Sequence, residues 1–261
     1  MLKKENYSEN SFFRLRLYNG FMGLFHLFQA GIILYLSNNF TLPITTSYLS
    51  FDLNTNTIST VKDQLLEIRI GPLVALFLFI SAIAHFLLST ILYRWYVKNL
   101  KNHINYARWY EYALSSSVMI VLIALLVGMY DLSSLILIFT LNATMNFFGL
   151  MMELHNQTTQ KVNWTSFIFG VIAGIVPWIV IYLYFSGAVS SVGDTIPKFV
   201  YGILVSIFVF FNIFAINMFL QYRKIGKWKN YLFGESIYVL LSLVAKSVLA
   251  WQVFSGTLRP Q

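Results

Sequence analysis

The sequence predicts an all-α membrane protein, a bundle of seven spanning helices, and three observations carry that prediction. The first is composition: 57% of the 261 residues are hydrophobic and only 11% are charged, whereas a soluble globule carries about 25% charged residues to clothe its surface. The second is spacing, because seven apolar stretches each approach the roughly 20 residues needed to cross a bilayer. The third is the placement of charge. Lys and Arg fall between the apolar stretches, so the net charge of +8 reads as a topological signal and no nucleic-acid partner is expected.

Taken in order, the spans cover about 15–36, 71–93, 107–129, 132–154, 165–187, 199–221 and 234–256, within a single domain over 1–261. The first run is full length and leads into Ser37-Asn38-Asn39 instead of a small-residue cleavage site, so it is expected to stay as the first helix. The long loop 37–70 is rich in Thr, Ser, Asn and β-branched residues and alternates roughly from Leu42 to Leu53. That pattern favours a short β-hairpin over a helix, with a flexible polar tether as the alternative. A short link at Tyr130 and Asp131 makes the third and fourth spans antiparallel neighbours, and the later links are also brief. The fifth span contains Pro177, and the sixth offers Phe208, Phe210, Phe211 and Phe214. No internal repeat marks a secondary transporter. The absence of cysteine excludes disulfides, thiolate metal sites and a Cys nucleophile.

Orientation follows from counting. With the N-terminus in the cytoplasm, the inner segments hold thirteen of the 18 Lys and Arg residues, among them Lys3, Lys4, Arg14, Arg16 and Arg108, and the outer segments hold four. This positive-inside bias predicts N-terminus in, C-terminus out and an extracellular 37–70 loop. The chain is therefore expected to be a multi-pass protein of the cell membrane in direct contact with the lipid bilayer. Arg223, Lys224, Lys227 and Lys229 form a basic inner loop suited first to anionic lipid.

One charge breaks the pattern. Lys246 lies about 12 residues inside the seventh span, where a lysine costs about 2.5 to 3.5 kcal/mol on insertion scales and cannot easily snorkel to water. Two uses remain: an intramembrane ion pair, or an amine that condenses with a carbonyl to form a Schiff base. Of the ten acidic residues only Glu111 enters an apolar span; Glu153 and Glu235 are placed at span ends, at the rim. Helical spacing puts Arg108, Glu111 and Ser115 on one face, with Met119 two turns beyond Glu111. An opposite charge near a Schiff base keeps its proton on, so Glu111 is the candidate partner. Helical rise leaves the two backbones roughly 12 Å apart in depth, so the third helix is expected to start before residue 107. Ser242, one turn before Lys246, can bond either group, while Ser247 and Trp251 are assigned to packing.

His26 and His85, with Gln29 one turn from His26, fall in the same half as Glu111 and predict a polar pocket able to hold a proton, to which Arg108 on the Glu111 face is also assigned. Metal is disfavoured because no third ligand has suitable spacing.

Glu111-Tyr112 followed by Ser115-Ser116-Ser117, and Ser242-Leu243-Val244-Ala245-Lys246-Ser247 with Leu249-Ala250-Trp251-Gln252, closely resemble the heliorhodopsin family. Seven spans, an inner N-terminus and a long first outer loop extend the resemblance over essentially the whole chain. It implies all-trans retinal bound as a Schiff base to Lys246, Glu111 as counterion, Ser242 and Ser115 as near neighbours, isomerisation to 13-cis, a slow photocycle and a homodimer. It also implies a cytoplasmic polar cavity at His26 and His85. Asn142 and Met145 in the fourth span, Met119, Trp178 and Phe211 complete the expected chromophore pocket. Ion-pumping rhodopsins carry Asp where Ser242 stands, and a Trp-x-x-Tyr-Pro pattern that the sixth span lacks.

The outer half offers no buried carboxylate, only Asp131 and Asp194 at its mouth, with neutral Asn142 and Asn146 inside. The expectation is therefore a photosensory receptor with a cytoplasmic signalling partner, ahead of a light-gated proton channel and well ahead of a pump, which needs exchangeable groups on both sides. A chromophore-free protein with a structural Lys246–Glu111 pair is the third reading. No enzymatic catalysis is expected.

Overall fold

A computed structural model of the protein describes residues 7–192 and 196–259; Lys3, Lys4 and Asp194 lie outside the described residues. Seven helices among these residues are long and apolar enough to span a membrane. The order is α1 (Glu9–Leu36), β1 (Thr41–Asp52), β2 (Thr57–Arg69), α2 (Ile70–Ser89), α3 (Tyr93–Leu100), α4 (Tyr106–Leu126), α5 (Leu132–His155), α6 (Thr165–Val192), α7 (Lys198–Arg223) and α8 (Tyr231–Val253). The bundle has two ends, one where α1 begins and one crowned by the β1–β2 hairpin.

Helix limits move where capping overrides hydropathy. α1 starts six residues before the apolar run because Ser8 caps it, its side chain accepting from the Ser11 backbone N–H at 3.3 Å. α2 stops at Ser89, short of 93. There the Arg16 Nε donates to the Ser89 carbonyl at 2.7 Å while its guanidinium lies 4.6 Å from the Tyr93 ring centre, satisfying an orphan carbonyl of the helix end. The chain then re-enters a separate amphipathic helix, α3, which hydropathy alone does not reveal. α3 buries Tyr96 and Leu100 against Phe12, Leu15 and Tyr231 and leaves Arg94 and Lys98 outside. α4 ends at Leu126 instead of 129, since the turn into α5 uses Gly128 at φ +95°, a conformation suited to glycine. Asp131 then caps α5 through the Ser134 N–H at 2.9 Å.

The loop is a hairpin of 12- and 13-residue antiparallel strands, longer than expected, with a register shift between Ile44 and Thr45. The Thr45 N–H donates to the Tyr130 carbonyl at 2.9 Å, which fixes the hairpin to the α4–α5 link. The Asn38 amide donates to the Thr257 carbonyl at 2.8 Å and ties the end of α1 to the turn after α8.

The interior is divided. Toward the hairpin end it is apolar, with Ile33, Phe77, Leu122, Ile123, Ile207 and Leu249 fully buried. Toward the other end lie the buried polar groups Asn19, His26, His85, Arg108, Glu153 and Glu235. On the outside, Phe28, Leu137 and Val205 are largely exposed, the apolar surface that lipid requires.

Candidate functional site

Lys246 comes from the middle of α8, buried at 3% exposure. Its Nζ donates to Glu111 Oε1 at 2.8 Å and to Ser242 Oγ at 2.6 Å, and sits 5.2 Å from the Tyr112 ring centre. Glu111 also accepts from Ser81 Oγ of α2 at 2.6 Å. Three helices thus fix one buried ion pair, and the hydrogen bonds offset part of the cost of removing both charges from water. The apparent depth mismatch resolves at the start of α4. The N-cap Asn105 donates its amide to Glu235 Oε2 at 2.7 Å, so α4 begins level with the second turn of α8. Glu111 then stands about 9 Å and Lys246 about 16 Å further in. The lysine covers the rest because helical side chains lean toward their own N-terminus.

Beside the amine opens an apolar cavity of about 200 Å³. Ser115, Met119, Met145, Trp178 and Phe211 line it with Lys246 and Ser242. Trp178 holds Phe208 and Phe211 edge-on, at ring separations of 5.3 and 5.4 Å. Gly149 lets the Trp109 ring pass against α5, where any Cβ would collide with it.

Asn142 is not in this wall. It is buried between α4 and α5, donating to Ser116 and Ser117 at 2.8 and 3.0 Å, and Asn146, one turn on, lines the cavity in its place. Gln29 is likewise absent from the polar pocket, because its Oε1 accepts the Trp251 indole N–H at 2.9 Å and closes the α1–α8 seam. Arg108 faces inward as its spacing requires, but its guanidinium is spent on Glu153 and Glu235 and stacks 3.9 Å from the Tyr238 ring centre. Those two glutamates are each 1% exposed. They are interior ion-pair partners and not rim residues, and Arg108 drops out of the inner-loop charge count. Both do stand near helix ends, Glu153 two residues from the end of α5 and Glu235 in the second turn of α8, and it is the α4 N-cap Asn105 and Arg108 packed over them that make them interior.

His26 and His85 do meet, their rings stacked at 5.6 Å and 8°. The Asn19 amide donates to the Leu15 carbonyl at 2.8 Å, which turns its Oδ1 toward His85 Nδ1, also at 2.8 Å. His85 therefore carries its proton on Nδ1. Ser81 and Asn19 were missed from sequence, although Ser81 lies one turn from His85 and Asn19 two turns from His26. No group of three metal-ligating side chains occurs among the described residues.

A sequence model of the heliorhodopsin family matches residues 15–258. The chain belongs to the heliorhodopsin family. No curated protein matches it significantly. Among solved structures, this heliorhodopsin is similar to the crystal structure of a light-driven proton pump from Leptosphaeria maculans, at 14% identity and a TM-score of 0.61, over 95% of this chain and 97% of that one. That likeness establishes the rhodopsin fold alone. Membership of the family makes this heliorhodopsin a multi-pass membrane protein of the retinal photoreceptor type and implies a retinal chromophore. The residues fit such a group: a buried primary amine stands in the wall of an apolar cavity with a carboxylate 2.8 Å from it. A long apolar aldehyde needs this donor set.

Proposed function

We propose that this heliorhodopsin is a light sensor in which Lys246 holds all-trans retinal and Glu111 is the counterion, with its N-terminus in the cytoplasm. The single observation that carries the reading is the buried 2.8 Å contact between Lys246 Nζ and Glu111 Oε1 at the cavity wall. Retinal bound there supplies visible absorption and photoisomerisation. Glu111 keeps a negative charge beside Nζ and so holds a proton on it. Ser81 and Ser242 orient the carboxylate and the amine, and Met119, Trp178 and Phe211 shape the apolar walls. Orientation rests on the positive-inside bias, which persists when buried Arg108 is removed from the count.

Sensing is favoured over transport by the division of the interior. Every buried ionisable side chain among the described residues lies from Lys246 toward the end where α1 begins, and the hairpin half is a packed apolar plug. Proton movement is confined to the cytoplasmic side, where a homodimer or a signalling partner can read a change of shape. In retinal-supplied cells under green light, voltage clamp is expected to record no photocurrent at any potential or pH gradient. A current reversing at the proton equilibrium potential would instead establish the light-gated channel.

Glu111→Gln removes the charge that localises positive charge on Nζ, so the absorption band is expected to move to the red. An unchanged spectrum would mean that another group is the counterion.

A further inference from the structure

The retinal reading leaves one buried cluster without a role. Arg108 is shared by Glu153 of α5 and Glu235 of α8; Asn105 supplies its N–H to Glu153 at 2.8 Å and its amide to Glu235 at 2.7 Å, and Gln221 of α7 reaches Glu235 at 3.4 Å. With all three ionised, two carboxylates face one guanidinium and the cluster carries one uncompensated negative charge, an expensive state in a buried site. It has room for one proton.

A route leads to it. A cavity of about 30 Å³ is lined at one side by Glu111, His85 and Asn19 and at the other by Asn105, Arg108 and Glu235, with Tyr112, Tyr238 and Tyr96 as its ring walls. That volume suits about two waters. Glu235 borders the cavity and Glu153 does not, which separates two otherwise similar carboxylates. We infer that Glu235 is the proton store of this site, receiving through the small cavity the proton that leaves Lys246 Nζ by way of Glu111. Atoms and charge balance: the N–H bond at Nζ breaks as an O–H bond forms at Glu111, then that O–H breaks as water relays a proton to a Glu235 carboxylate oxygen. The positive charge at Nζ and the excess negative charge of the Arg108 cluster disappear together, Glu111 is a carboxylate before and after, and no buried charge is created. The rival acceptor on the cavity wall is His85 at Nε2, since its Nδ1–H donates to Asn19, and a proton stored there would give no carboxylic band.

This inference rests on the retinal reading, and infrared spectroscopy can test the two separately. Light-minus-dark spectra of the retinal-loaded protein should show a new carboxylic C=O stretch, unshifted in Glu153→Asp, which keeps both carboxylates of the cluster, and lost in Glu235→Gln. In the retinal-free protein, acidification should raise a buried carboxylic band that Glu235→Gln also removes. Glu235→Asp should shift both bands in frequency, which serves if the glutamine variant does not fold. A wild-type pigment with no such band, or a band that survives unshifted in the Glu235 variants, overturns the store while leaving the chromophore site standing. Failure of the wild type to form any pigment overturns both.

Discussion

Lys246→Ala is expected to give a protein that is made, inserts and folds, yet shows no visible absorption after addition of retinal. Among the described residues the amine is the only primary amine lining the large cavity, so its removal takes away the group able to form the covalent link. The substitution leaves Glu111 buried without its cation, and a carboxyl in that position is expected to neutralise by taking up a proton while keeping its hydrogen bond to Ser81. A double variant with Glu111→Gln should therefore be at least as stable as Lys246→Ala alone. Absorption spectra of the purified variant decide the matter: a coloured Lys246→Ala protein would sink the chromophore assignment. A colourless wild type, joined to a variant that unfolds, would favour the purely structural ion pair.

The second large effect is expected at Arg108. Arg108→Ala strands Glu153 and Glu235 face to face, each 1% exposed, and removes a guanidinium that also stacks on Tyr238 and Trp109 at 3.9 and 4.5 Å. Removing one partner of a buried ionic cluster typically costs about 3 to 5 kcal/mol, a fall in the thermal midpoint on the order of 10 °C. Because the cost is that of unpaired carboxylates, combining Arg108→Met with Glu153→Gln and Glu235→Gln should recover most of it. Thermal unfolding of the single and triple variants in detergent measures both. A single variant as stable as wild type would show that the cluster does not hold α4, α5 and α8 together.

The same residues show how far sequence reasoning reached. The Lys246 and Glu111 positions were legible because a charge inside an apolar run is conspicuous, and helical periodicity put Arg108, Glu111 and Ser115 on one face. Periodicity does not say which neighbouring helix that face meets. Arg108 was grouped with the histidine pocket, whereas packing delivers it to two glutamates distant in the chain. Asn142 and Asn146 differ by one turn of α5, and only the rotation of α5 against α4 decides which of them borders the cavity and which bonds Ser117. Ser81 gave no charge signal, and Gln29, read with the histidine pocket, is taken instead by Trp251 of α8.

The sequence by itself determined the seven spans, the β-structured loop and the family, because bilayer thickness, strand alternation and local motifs act over short stretches of chain. The tertiary structure alone decided the short helix α3 and the partners of the buried polar groups outside the Lys246, Glu111 and Ser242 set. Those depend on side chains far apart in the chain, as Gln29 and Trp251 are at 222 positions. In a low-dielectric interior such groups must find each other, and chain order does not specify where.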